Sequence, residues 1–344
     1  MSIDKRFGCF LLAALLSAVV LSAQQNISPG PASRIYLDVV VTPKSGPPVA
    51  NLQQQDFIIL DNKTQQHVTS FQAFNGSQGP IHVIMVIDAV NSSYQSIAFQ
   101  RDEIDRFLRA DGGRLAEPMA LAVFTDTGTQ IQQGFSTDGN ALSASLDQYA
   151  IGLRNIHRSS QYGASDRFHL SITALREIAG QVANLPGRKM IFWMSPGWPL
   201  LSGPGIELDS KQQNQIFATI VDLSTQLRQA RTTLYGIDPL GSSEGLGRTF
   251  YYQDFVKGIG RASQVSLGDL SLQVLATQTG GLALSSSNDV VSLLQKCLAD
   301  TEAYYGLSFD SAPADHRDEY HHLEIQLTKP GLTARTRQGY YAQP

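Results

Sequence analysis

The residues best placed for chemistry follow four apolar runs. IHVIMVID (81–88) leads into Asp88-Ala89-Val90-Asn91-Ser92-Ser93, and MALAVFT (119–125) into Thr125-Asp126-Thr127. KMIFWMS (189–195) leads into Ser195-Pro196-Gly197-Trp198, and TTLYGID (232–238) into Asp238-Pro239. A carboxylate followed by hydroxyls could give oxygen ligands to a divalent cation, or Asp88 could cap the helix that follows. Ser195 stands directly after a run, where a hydrolase would carry its nucleophile. Met194-Ser195-Pro196-Gly197 is not a G-x-S-x-G turn, however, and Pro196 removes a backbone N–H that an oxyanion hole would need. Trp198 is either a loop anchor for a partner or a cover for the core.

Short, continuous apolar runs read as strands buried on both faces. Between them, helical spacing is visible at 94–109, 139–149, 166–184 and 211–230. Further helices are expected at 269–279 and 288–303, with a strand at 282–285. Alternating buried strands and helices predict a doubly wound α/β layer around a mostly parallel sheet. In such sheets ligands bind beyond the carboxyl ends of the strands. That places Asp88, Asn91, Ser92, Ser93, Ser195 and Trp198 at the predicted binding edge, where Ser165 is expected to join them.

The ends of the chain read differently. Ile35, Leu37, Val39 and Val41 alternate with more polar neighbours, as in a half-buried strand. FIILDNKTQQHVTSFQAF reads as two short strands around Asp61-Asn62-Lys63, and YGLSFD, HHLEIQLT and TARTRQGYY are strand-like again. Neither β block alone has enough strands for a stable sandwich. The predicted organisation is one small β-sandwich-like domain shared by residues 34–75 and 306–342, with the α/β domain (80–305) inserted.

The Asp88 segment resembles the D-x-S-x-S start of the von Willebrand factor A (VWA) domain. DFIILDNKTQQHVTSFQAF, GRKMIFWMSPGW, LATQTGGLAL and ARTRQGYYA resemble segments of the bacterial exported "VWFA-related" family. The likeness runs from residue 34 to 342. It implies an adhesion-type protein-binding module whose metal-ion-dependent adhesion site would use Asp88, Ser92 and, in the place of the loop threonine, Ser165. The departures imply a degenerate site. Val90 replaces the middle serine, and Pro196 stands where the family carries an aspartate. Mg²⁺ prefers about six oxygen ligands, so weak or no binding of Mg²⁺ or Mn²⁺ is expected.

The amino terminus suggests export. Lys5 and Arg6 precede an apolar run from Cys9 to Leu21, and Ser22-Ala23 closes it. This is the pattern of a signal peptide (1–23), followed by a linker (24–33). The run is short of the ~20 apolar residues of a membrane span. Its loss would remove two cations and one anion, taking the net charge from −4 to −5. Cys297 would then be the one cysteine left, which excludes a disulfide scaffold. It lies in an apolar helical stretch and reads as a buried thiol.

Charged residues make up 16% of the chain and no basic run occurs, which argues against nucleic-acid binding. DHRDEYHH (315–322) gathers His316, Asp318, Glu319, His321 and His322 but reads as a solvated turn entering a strand. The expected protein is therefore an exported, non-catalytic protein-binding module, with no stable membrane span once the signal is removed. A secreted hydrolase using Ser195 and a structural envelope component are the competing expectations.

Overall fold

In the α/β layer, a strand of nearly uniform apolarity needs cover on both faces, and among the described residues three helices on each side supply it. The structure, a computed structural model, describes residues 34–76, 79–149, 161–199, 207–239, 251–285 and 287–343. The signal peptide and linker expected at 1–33 lie outside the described residues.

The described residues open with β1 (Arg34–Pro43), β2 (Phe57–Asp61), β3 (Thr64–Gln66) and β4 (Ser70–Asn75). Then come β5 (Ile81–Asp88), α1 (Tyr94–Arg109), β6 (Arg114–Thr125), β7 (Gly128–Ile131), β8 (Ser136–Asp138) and α2 (Gly139–Gln148). The middle of the chain holds α3 (Gln161–Val182), β9 (Arg188–Met194), α4 (Ser210–Gln229) and β10 (Thr232–Ile237). It continues with α5 (Leu272–Gln278), β11 (Ala283–Leu284) and α6 (Val290–Leu298). The last strands are β12 (Ala303–Asp310), β13 (Glu319–Leu327), β14 (Leu332–Arg335) and β15 (Gly339–Ala342).

The central sheet runs β11-β10-β9-β5-β6-β7, with β8 also on β6. The pairs among β11, β10, β9, β5 and β6 are parallel. β7 and β8 add an antiparallel edge that the sequence reading missed, because GTQI and STD carry no apolar alternation. On one face, Ile97, Ile104 and Leu108 of α1, Leu142 of α2 and Leu294 of α6 pack on Val83, Met85, Leu121 and Phe192. On the other, Leu175 of α3, Leu223 of α4 and Leu272 of α5 pack on Ile84, Val86, Ile191 and Leu234. Cys297 is fully buried in the first layer, and burial pushes its thiol up.

The two ends of the chain meet in a pair of four-stranded sheets, ordered β14-β1-β12-β4 and β15-β13-β2-β3. β1 lies antiparallel to β12, with Leu37 opposite Leu307, and β13 lies antiparallel to β2, with Ile325 opposite Ile59. Ile35, Leu37, Val39 and Val41 face the core between these sheets together with Phe57, Tyr305, Leu323 and Tyr340. The segment after Phe57 makes three strands, not two. β2 and β3 form a hairpin over Asn62-Lys63, both at positive φ (48° and 68°), which suits the right-handed twist of a two-residue turn. β4 crosses to the other sheet and pairs with β12. TARTRQGYY is likewise split, so that Arg335 ends a strand of one sheet and Gly339 begins a strand of the other.

Burial also corrects the reading of DHRDEYHH. His321 is 6% exposed, and its Nδ1 lies 2.9 Å from Asp61 Oδ1. Tyr340 donates its hydroxyl proton to Asp61 Oδ2 at 2.6 Å. The rest of the run stays at the surface or half-buried.

The β1–β12 pairing sets a test. A chain ending at residue 305 would lose β13 to β15 and most of β12, baring the apolar face of β1, and is expected to aggregate. Leu37→Ala in the full chain should still fold, at a loss of about 2–5 kcal/mol in urea denaturation. A soluble, folded truncated chain would contradict the shared sandwich.

Candidate functional site at the sheet switch point

Counted within the parallel sheet, the strand order is 2-1-3-4-5, with β5 first and β9 third. The order reverses between β5 and β9, where a crevice normally opens for ligand. Here that crevice is filled by the protein's own side chains.

Asp88 ends β5 and is 0% exposed. Its Oδ1 accepts from the backbone N–H of Val90 at 3.0 Å and of Asn91 at 2.8 Å. Its Oδ2 accepts from Asn91 Nδ2 at 2.8 Å and from Trp193 Nε1 of β9 at 3.0 Å. Burial pushes the Asp88 carboxyl up, while hydrogen bonds from Trp193, Asn91 and the Ser195 hydroxyl pull it back. Four N–H donors on two oxygens use the acceptor capacity of a carboxylate. The Asp88–Trp193 bond crosses the switch point and ties β5 to β9.

The other predicted residues take up supporting positions. Asn91 Nδ2 also donates to Ser171 Oγ of α3 at 2.9 Å, and the Ser171 hydroxyl donates to Arg167 O at 2.7 Å. Ser92 is fully buried and accepts from Gln100 Nε2 at 3.1 Å. Ser93 is the N-cap of α1, accepting from Ser96 N at 3.1 Å. The capping role considered for Asp88 therefore belongs to Ser93, because the chain needs a further turn after β5 before the helix can start. Ser195 is 1% exposed, and its Oγ accepts from Gly197 N at 3.2 Å. Gly197 holds φ at +113°, and a Cβ there would stand 2.7 Å from Gln273 Nε2. Ser165 sits in the first turns of α3, where its hydroxyl faces His169 Nδ1 at 3.4 Å.

Trp198 is 3% exposed and packs edge-on against Trp193, with ring centroids 5.3 Å apart. The structure thus decides between the two roles left open for it. It covers the core, since Phe124 on β6 and Trp193 on β9 offer an aromatic wall. Among the described residues an exposed aromatic at this edge is Tyr94, 67% exposed and first in α1.

The donor set can be tested against a divalent cation. Both Asp88 oxygens already face N–H groups, which cannot ligate a metal, and the Ser92 hydroxyl is engaged by Gln100. Val90 is 0% exposed and adds only methyls. These residues do not fit an Mg²⁺ or Mn²⁺ shell. Among the described residues, no three His, Cys, Asp or Glu side chains are grouped to hold a metal.

Sequence reasoning missed Ser171, Gln100 and the Trp193 indole. Gln100 left a signal, since it interrupts the apolar stripe of Ile97 and Ile104 with an amide that must be satisfied once buried. Ser171 and Trp193 left none, because their partner is reached only through the fold.

No family model matches the chain, and neither does any curated protein. Among solved structures, the PilB minor pilin from Streptococcus sanguinis aligns at 13% identity and TM-score 0.37, over 66% of this chain and 63% of the pilin. Proximal thread matrix protein 1 from the mussel byssus aligns at 14% identity and TM-score 0.37, over 79% of this chain and 51% of that one. A von Willebrand factor type A protein from Catenulispora acidiphila aligns at 8% identity and TM-score 0.34, over 91% of this chain and 75% of that one. The chain thus spans 63% of the pilin and 51% of the thread protein. TM-scores this low establish no shared fold, so the architecture rests on the strand order and register above.

The Asp88 network gives a measurable expectation. Asp88→Asn would turn an NH₂ group toward N–H donors and should cost about 2–3 kcal/mol in denaturant unfolding. Ser93→Ala should cost about 1 kcal/mol through the lost cap. If Asp88→Asn proved as mild as Ser93→Ala, the carboxylate would not be the hub of this edge.

Proposed function

We propose that the protein is a non-catalytic, VWA-like protein-binding module that acts outside the cytoplasm and binds its partner at the carboxyl edge of the central sheet, without a metal ion. The observation that carries this reading is the filled switch point. Asp88 has its acceptors used internally, so among the described residues this carboxylate is not offered to a small substrate or cation. Tyr94 stands exposed at the start of α1, on the wall of an open groove with Arg101, Leu146 and Asp147. A large amphipathic ring of this kind suits a partner contact.

Burial of the Ser195 hydroxyl supports the non-catalytic reading over the hydrolase. The basic and apolar pattern of residues 5–21 supports export. Among the described residues, no helix is long and apolar enough to cross a membrane. The partner in this reading is another protein, not nucleic acid, in keeping with the low and slightly acidic charge.

Capture from envelope extract, compared between wild type and Tyr94→Ala, tests the surface. A partner retained by wild type in EDTA and lost by Tyr94→Ala is the expected result. Retention by both proteins would move the binding site elsewhere. Isothermal titration should show Mg²⁺ binding no tighter than about 1 mM. Micromolar binding abolished by Asp88→Ala would overturn the metal-free reading. Labelling of Ser195 by a fluorophosphonate probe would overturn the non-catalytic one.

A further inference from the structure

Arg337 follows β14 and is 7% exposed, yet among the described residues no hydrogen bond or ion pair engages its guanidinium. Arginine carries five N–H donors and stays charged, so a buried one ordinarily has acceptors. Its surroundings make the charge less comfortable. Arg228 of α4 opposes it, and Arg228 Nε is itself buried without a partner among the described residues. Asp38 acts on Arg337 from β1, but its carboxylate is already paired with Arg231. Desolvation, reinforced by Arg228, pushes the Arg337 pKa down to about 10.

Arg337 lines an open groove of about 700 Å³ with Lys257, Gly258, Tyr320, His322 and Arg335. Arg335 is satisfied, since it holds both oxygens of Asp300 at 2.6 Å. Lys257 is exposed and makes no ion pair among the described residues. Tyr320 packs against Gly258, where a Cβ would stand 1.8 Å from its ring. Burial pushes its phenol up to about 12, so it remains a hydroxyl donor at neutral pH. The acid on the groove wall is Glu324, which accepts from Gln326. The groove therefore combines a buried unpaired guanidinium, a free ammonium and a hydroxyl donor.

We propose that this groove binds an oxyanion, with Arg337 at its base holding a phosphate or carboxylate group through paired N–H donors and Lys257 closing over it. A planar guanidinium matches either group with two parallel hydrogen bonds. The proposal is separate from the carboxyl-edge reading, because none of its residues belongs to that edge.

The test uses the full chain at constant ionic strength, titrated separately with inorganic phosphate and with succinate by calorimetry and thermal denaturation. At least one anion should bind saturably and raise the melting temperature. Phosphate alone would identify a phosphoryl ligand, and succinate alone a carboxylate. Arg337→Met should abolish the response, and the surface change Lys257→Gln should weaken binding about threefold or more. No saturation by either anion below about 10 mM would overturn the proposal. So would unchanged affinity in Lys257→Gln, which decides the matter alone if Arg337→Met does not fold.

Discussion

A carboxylate with no access to water must be met by donors, and that requirement organises the centre of this molecule. Asp88 is placed at the end of the first parallel strand, under helices on both faces. An unpaired charge there would cost several kcal/mol. Its four N–H partners come from the turn it begins and from the neighbouring strand β9. The same bonds fix the path from β5 to α1 and hold β5 beside β9. They also remove what a cation would need. The stability of the sheet thus draws on the acceptors of the carboxylate at its carboxyl edge.

A second buried charge fastens the sandwich to the α/β layer. Asp300, just after α6, receives Arg335 of β14 at both oxygens and the Tyr235 hydroxyl of β10 at 2.6 Å. Arg188 of β9 reaches Tyr235 Oη at 3.0 Å and the Asp300 carbonyl at 2.9 Å. Tyr304, Phe74 and Val40 join the α/β core from the sandwich strands, and Tyr341 joins the opposite layer. Apolar contact supplies area and the Asp300 network supplies direction. Loss of either Arg335 or Tyr235 would leave buried polar groups unmatched. Arg337 stands outside this network, without an acceptor among the described residues, and that is what singles out the groove beside it.

Most of the helices and buried strands were legible because their signals are local. The apolar runs 81–88, 189–195 and 232–238 had to be covered strands, and the stripe Ile97, Ile104, Leu108 had to be an inward helix face. The strand-type ends had to pair with each other, since neither could form a core alone. Less legible were β7, β8 and the switch of β4 and β15 between sheets. Those depend on which edges are free after the main sheets assemble, and an edge carries no periodic signal.

The candidate site divides in the same way. By itself the sequence determined that Asp88, Asn91, Ser92, Ser93, Ser195 and Trp198 follow buried strands, because hydrophobic periodicity is a property of neighbours along the chain. It also determined that Val90 and Pro196 bring no oxygen side chain. What only the tertiary structure decided is how those residues spend their polar atoms. Trp193 lies 105 residues from Asp88 and Ser171 lies 80 from Asn91, yet each donates or accepts across the crevice. Trp198 turned inward and Tyr94 outward for the same reason. Burial is set by which surfaces meet when distant elements pack, and that meeting is not written in local spacing.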